Sequence, residues 1–236
     1  MSIKVEEVSG FLGLEIHDPY GRIFGTLVTF YSNVHGEVEG FEVKVADDKI
    51  VYIEPEKIRV DEGKLVVFPE WKFRAITVIE ALDRALKRKK AIEKTLSQSD
   101  LPGSVIETYL KKLNDDIKKL KNEAVKAKTE IKVRINRIED EVLHVDKALV
   151  NLQITYLSGE ISDTAYRKSS EQLKRIKGWL LEEMGDARST IEKIEKLESS
   201  PVLLADTSKQ ESKEGAEMTA APNTPAEDVV VMLSGE

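Results

Sequence analysis

Residues 110–156 read LKKLNDDIKKLKNEAVKAKTEIKVRINRIEDEVLHVDKALVNLQITY. Leu110, Leu113, Ile117, Leu120, Ala124, Ala127, Ile131, Ile135, Ile138, Val142, Val145, Leu149, Leu152 and Tyr156 recur at spacings of three and four. That rhythm puts them on one face of an α-helix and spells out a coiled-coil seam. At 1.5 Å per residue the run makes a rod roughly 75–80 Å long, more than any globular core of this chain could hide. Three and four alternate strictly except at 127–131–135, where two fours follow each other. A defect of this kind shifts the seam around the helix and locally unwinds a supercoil.

The flanks of this run are helical too. Ile79, Leu82, Leu86, Ile92 and Leu96 share a face of an upstream helix, which SQSDLPGS (97–104) interrupts with Pro and Gly. Ser104-Val105-Ile106-Glu107 has the capping-box spacing for the start of the central helix. Downstream, LSGEIS (157–162) ends the rod, with Gly159 suited to the left-handed position past a helix end. Ser162 or Asp163 can cap a third helix, which continues through Leu173, Ile176, Leu180 and Ile191. Gly178 and Gly185 weaken it by about 1 kcal/mol each relative to Ala. The spacing predicts helices over about 70–97, 103–157 and 162–198, a long central one flanked by two running the other way. A second chain is expected to complete the seam, making a dimer.

Residues 10–68 follow a different rule. In GEVEGFEVKVA, Phe41, Val43 and Val45 alternate with Glu42 and Lys44, the period-two pattern of a half-buried strand. In GRIFGTLVTFYSN, Phe24, Val28 and Phe30 share one parity while Ile23, Leu27 and Tyr31 share the other, predicting apolar surroundings on both faces. KIVYI, KIRV and KLVVF add three more strands. The breaks carry turn chemistry: Asp18-Pro19-Tyr20-Gly21 fits a type I turn, and Asn33-Val34-His35-Gly36 and Asp61-Glu62-Gly63 fit short hairpins. Five or six short strands predict a small closed or nearly closed sheet over 1–69, which removes exposed edges. A core of that size is thin and is expected to lean on other parts.

Residues 199–226 are rich in Ser, Thr, Ala, Pro and Glu, too polar to offset the entropy of ordering, and predict a disordered linker. Beyond it, in 227–236, lies the apolar run Val229, Val230, Val231, Met232 and Leu233. An apolar strand on a polar tether suits β-augmentation, in which main-chain hydrogen bonds to a foreign sheet edge give affinity and alternate side chains give specificity. Docking on the chain's own sheet edge and an inert tail are the competing readings.

The 236-residue chain carries a formal charge of −7, but the charges are segregated. Residues 1–70 hold 7 basic and 14 acidic side chains, and residues 71–128 hold 15 basic and 8 acidic ones. The densest cationic stretch is Arg84, Lys87, Arg88, Lys89, Lys90 and Lys94, continued by Lys111, Lys112, Lys118 and Lys119. If the helical hairpin forms, both sets can line one surface. Such a flank binds phosphates without reading bases, so DNA, non-specifically, and an anionic membrane surface are both candidates. Pairing with the acidic modules of other copies is the alternative. There is no Cys, hence no disulfide and no thiolate metal site. His17, His35 and His144 stand far apart, and Asp47-Asp48 and Asp115-Asp116 read as surface charge, so no enzyme, cofactor, metal or small-molecule substrate is expected. No stretch has the roughly 20 apolar residues of a membrane span, and MSIKVEEVSG lacks the basic start and apolar core of a signal peptide. A cytoplasmic protein is expected.

Two resemblances follow from these residues. Gly13, Asp18, Gly21, Arg22 and Gly25 match the opening of the PRC-barrel module, a docking unit of photosynthetic reaction-centre subunits and ribosome-maturation factors. Together with the helical and tail readings above, the expected fold class is α+β multidomain: a small PRC-barrel-like β-barrel, a helical coiled-coil hairpin rod, and a disordered tail ending in a strand-forming motif. The order of parts, with VVFPEWK (66–72), YLSGEIS (156–162) and DVVVMLSGE (228–236), resembles the CdvA family of archaeal cell-division proteins over the whole chain. What that resemblance implies is a filament-forming cytoskeletal scaffold at mid-cell, peripheral to the inner face of the membrane. It also implies association with DNA and recruitment of the ESCRT-III-like protein CdvB, with Val229 to Leu233 adding a strand to its winged-helix domain. The alternative from the PRC-barrel likeness alone is an RNA-associated factor in ribosome maturation.

Overall fold

Turn chemistry sets the N-terminal sheet. The structure, a computed structural model, describes residues 3–61, 63–96 and 103–199. A short helix α1 (Val5–Val8) precedes strands β1 (Glu15–His17), β2 (Ile23–Ser32), β3 (Val38–Lys44), β4 (Ile50–Ile53), β5 (Ile58–Asp61) and β6 (Lys64–Val67). Between β1 and β2, the Asp18 carboxylate accepts the backbone N–H groups of Tyr20 and Arg22, both at 2.9 Å, and Gly21 takes φ +84°. Between β2 and β3, Asn33 does the same for His35 and Glu37. Gly25 lies where a Cβ would come 2.4 Å from the carbonyl oxygen of Lys44, so only glycine lets β3 approach there.

The sheet order is β4-β3-β2-β1-β6-β5, and the expected closed barrel is not formed. The ladder does not join β4 to β5, and β1 meets β6 only at His17–Val66. Four of the six strands have three or four residues, too short to carry a ladder around a full circuit. The sheet curls instead around one apolar core, drawing Ile16, Leu27, Phe41, Ile53, Ile58 and Leu65 from all six strands, and Val8 of α1 plugs it. The expectation that both faces of β2 meet apolar surroundings also fails. Leu27 is fully buried while Ile23, Val28 and Tyr31 are exposed. A bulge between Leu27 and Thr29 resets the parity, so Phe30 turns inward opposite Phe41.

Three helices follow: α2 (Glu70–Leu96), α3 (Gly103–Leu157) and α4 (Asp163–Glu198). Their period of three and four buries one stripe of each. Ser104 lies inside the first turn of α3 rather than before it. At the other end, Gly159 takes φ +78°, and Ser162 rather than Asp163 caps α4 by accepting the Ala165 N–H at 3.2 Å. Stacked rings of Tyr156 and Tyr166, 4.5 Å apart, brace that turn. The first part of α3 packs on α2 and the later part on α4. In between lies a three-helix layer rich in alanine, with Ala75 of α2, Ala124 and Ala127 of α3 and Ala187 of α4 packed among Val78 and Ile131. The spacing defect at 127–131–135 falls inside this layer, where the α3 seam changes neighbour. Sheet and helices belong to one compact unit, Met1–Glu198.

Candidate functional site

The coiled-coil seam is spent inside the chain. Ile117, Ile131, Ile135, Ile138 and Val145 are buried, and Leu110, Leu113, Leu120, Val142, Leu149 and Leu152 are half-buried. Leu173, Leu180 and Met184 of α4 pack on Ile138, Val142, Val145 and Leu149. The expectation that a second chain completes this seam is therefore corrected: α2 and α4 supply the partner surface, since both fold back along α3.

Beside the seam lies the cationic flank. α2 runs back along α3, so residues 84–94 and 111–119 share one end of the α2–α3 hairpin. Lys87 pairs with Asp83 at 2.6 Å and Arg84 lies 3.9 Å from Glu80, each one helical turn away. Lys119 stands 4.0 Å from Asp116. Lys94 is exposed, and Arg88, Lys90, Lys111, Lys112 and Lys118 are exposed without an ion pair to any described residue. Lys89 departs from the expectation. It is only 2% exposed, because with Leu82, Ala85 and Leu86 it continues the inward face of α2 at helical spacing. It is packed structure rather than part of an open binding face.

The most elaborate polar constellation was not singled out from the sequence. Glu183 of α4 is 1% exposed. Its carboxylate accepts two hydrogen bonds from the Arg134 guanidinium, at 2.7 and 2.8 Å, and one from the Trp71 indole at 3.2 Å. Arg22, from the β1–β2 turn, approaches at 2.8 Å. Arg22 also pairs with Asp18, and Arg134 with Glu141. A second link sits next to it, where Tyr20 donates to Asp186 at 2.7 Å and Lys72 pairs with the same oxygen at 2.7 Å. The cluster joins the sheet turn to α2, α3 and α4. Bidentate Arg–carboxylate geometry of this kind fixes orientation as well as charge.

Electrostatics follow from that packing. Burial pushes the Glu183 carboxyl up, but the hydrogen bonds and charges of Arg134 and Arg22 outweigh it and hold the group below the usual carboxylate range. The hydrogen bond to Glu183 raises the Arg134 guanidinium further above its ordinary value. Burial, then the Asp186 carboxylate, push the Tyr20 phenol up. Glu183 is therefore held ionised and Arg134 and Tyr20 protonated near neutrality, which suits coupling of parts rather than proton transfer. The one signal in the sequence was phase: Glu183 follows Leu180 by three and precedes Ala187 by four, so it falls on the inward stripe of α4.

Among the described residues no group of three or more His, Asp or Glu side chains could hold a metal ion, and no helix is long and apolar enough to cross a membrane. A cleft of about 680 Å³ opens where β1 and β6 part, lined by His17, Arg59, Lys64 and Lys72 with Asp18 and Asp61. Its cations and carboxylates are mixed, and Lys72 is already paired. The expected partner-binding run, Val229, Val230, Val231, Met232 and Leu233, lies outside the described residues.

Comparison with known proteins bears on this architecture. The family model described as "CdvA-like coiled-coil domain" matches residues 70–217. "Cell division protein A" of Sulfolobus acidocaldarius is 32% identical over 204 residues, covering 86% of this chain and 85% of that protein. No solved structure matches.

Proposed function

The chain belongs to the CdvA-like family of cell-division proteins, and from that premise we propose that it is a non-enzymatic scaffold of the archaeal division machinery. It assembles with itself into a polymer at mid-cell, on the inner side of the membrane. Its cationic flank holds an anionic polymer. Its terminal segment recruits an ESCRT-III-like subunit of the CdvB type. The parts divide as a sheet module over 1–69, a helical rod over 70–198, a linker over 199–226 and a capture strand over 227–236.

What supports this reading most directly is the distribution of free binding capacity. The seam of α3 is filled by the chain's own α2 and α4, whereas five exposed cations on the α2–α3 hairpin have no described counter-ion. Lys and Arg side chains of this kind neutralise phosphates and do not read bases. DNA is the ligand that suits a straight helical flank; an anionic membrane surface offers the same charge on a plane. Recruitment rests on the continuous apolar run Val229 to Leu233. Each Val or Leu buried there contributes about 1.5–3 kcal/mol before ordering costs, enough in sum for micromolar binding. The ribosome-maturation alternative rests on the sheet alone and leaves the rod unexplained.

The test is a titration of the 226–236 peptide against the winged-helix domain of the ESCRT-III-like partner. Binding in the micromolar range is expected, and Val231→Asp is expected to abolish it. An unchanged affinity for that variant refutes strand addition.

A further inference from the structure

α3 carries a second apolar stripe, distinct from the seam. Leu143 is 54% exposed, Val150 and Ile154 are 59% exposed and Leu157 is 74% exposed. With Lys147 they recur at 143, 147, 150, 154 and 157, the four-three rhythm of a coiled-coil face. The seam residues Val142, Val145 and Leu149 pack with α4, so this stripe occupies another side of the helix. Leu143, Val150 and Ile154 line a groove of about 480 Å³ with Asp146, Lys147 and Asn151. Nothing among the described residues covers it. Such a patch, on the order of 400 Å² of apolar side chain, is the size that marks an interaction site on a monomer.

We infer that this face pairs with the same face of a second copy, the two α3 helices running antiparallel. The helical spacing selects a helix as the occupant, because a strand presents period two and would leave alternate residues of the stripe uncovered. Charge selects the direction. In a parallel pair Lys147 faces Lys147 of the other copy, two like charges at a core position. Antiparallel overlap centred near Leu152 places Lys147 beside Leu157 of the other copy and Val150 beside Ile154, each twice. The Lys147 stem then covers Leu157 while its ammonium reaches water. Of the groove's other polar residues, Asp146 is paired with Lys177 of its own chain and Asn151 is uncharged. Geometry permits the overlap: the sheet module is anchored at Arg134, some 27 Å from the centre at 1.5 Å per residue, so the modules point away from each other. The contact spans 147–157 of both copies with Leu143 at its rim, which puts it at the small end of specific interfaces. It deepens the assembly part of the proposed function by naming the surface that joins two subunits, and depends on neither the cationic flank nor the terminal strand.

The test uses the full chain at tens of micromolar in high salt, followed by sedimentation equilibrium. A dimer is expected, and Val150→Glu with Ile154→Glu is expected to weaken association at least 100-fold with unchanged helical circular dichroism. Val105→Glu, exposed elsewhere on α3, should leave the dimer intact. Since the chain has no native Cys, mixing Val150→Cys with Ile154→Cys should give a disulfide-linked heterodimer. Lys147→Cys alone should cross-link poorly. A monomeric wild type, a dimer that survives the double substitution, or efficient self-cross-linking of Lys147→Cys each overturns the inference. So does a monomer in which the double substitution exposes new amides, which would mean that the chain covers its own stripe. A monomer that still binds the winged-helix partner sinks this inference and spares recruitment.

Discussion

Glu183 is the residue on which the sheet and the rod depend together. Removing one partner from a buried ionic cluster strands the others without counter-charge, at a cost of about 3–5 kcal/mol. Glu183→Ala is therefore expected to lower the unfolding free energy in urea titrations toward the lower end of that range, because Arg22 keeps Asp18 and Arg134 keeps Glu141 as counter-charge while the Trp71 indole loses its acceptor. The same carboxyl makes stability depend on acidity. Its folded-state pKa lies below the unfolded value, so its contribution is fully present above the ordinary glutamate value of about 4.3. It is lost as pH falls through the lower folded value, because there the unfolded chain binds the proton first. Glu70, lowered through its hydrogen bond to Lys57, acts in the same direction. Unfolding free energy measured from pH 7 down to 3 should fall over that window, and Glu183→Gln should flatten the slope. Glu183 was not identified from the sequence because an acidic residue on an inward phase is indistinguishable from a tolerated surface charge until its partners are known. Those partners lie up to 161 positions away.

At the scale of elements, the three-helix layer works because its alanines are small. Ala124 is fully buried and Ala127 is 3% exposed, so helices can approach closely there. Ala127→Leu should overpack the layer at a cost of about 1–3 kcal/mol, read as a lowered melting temperature with helix content retained. The helices were legible because period three-four is local and sustained over many turns, and Gly159 marked its own turn. The sheet was less so. The alternation in β3 was plain, but parity in β2 breaks at a bulge that no residue type announces. Whether short strands close is decided by pairing between distant segments, which alternation does not encode. The four-residue helix α1 is too short to show a period at all. Lys89 was misassigned to the cationic surface because a run of four basic residues drowns the phase of the helix that carries it.

Taken whole, the molecule carries a formal charge of −7, so its surplus of cations is local to the α2–α3 hairpin. If the flank neutralises phosphates, DNA affinity should fall linearly with the logarithm of salt concentration, by about 0.9 per phosphate contacted. Replacing Lys111, Lys112 and Lys118 by Gln should reduce that slope by roughly 2–3 without altering the preference among sequences. A slope unchanged in this variant would move the contact elsewhere. The same variant should leave both winged-helix binding and subunit pairing untouched, since the three surfaces share no residue.

The cluster at Glu183 also imposes a schedule on biosynthesis. Arg22 and Asp18 leave the ribosome early, but the carboxylate that holds Arg22 to the rod is made 161 residues later. At about 5–20 residues per second, the β1–β2 turn waits roughly 10–30 s with its guanidinium in water. Docking of that turn on α4 thus waits until Glu183 has been made. A nascent chain stalled before Glu183 should have a folded sheet that proteases can still sever from its helices.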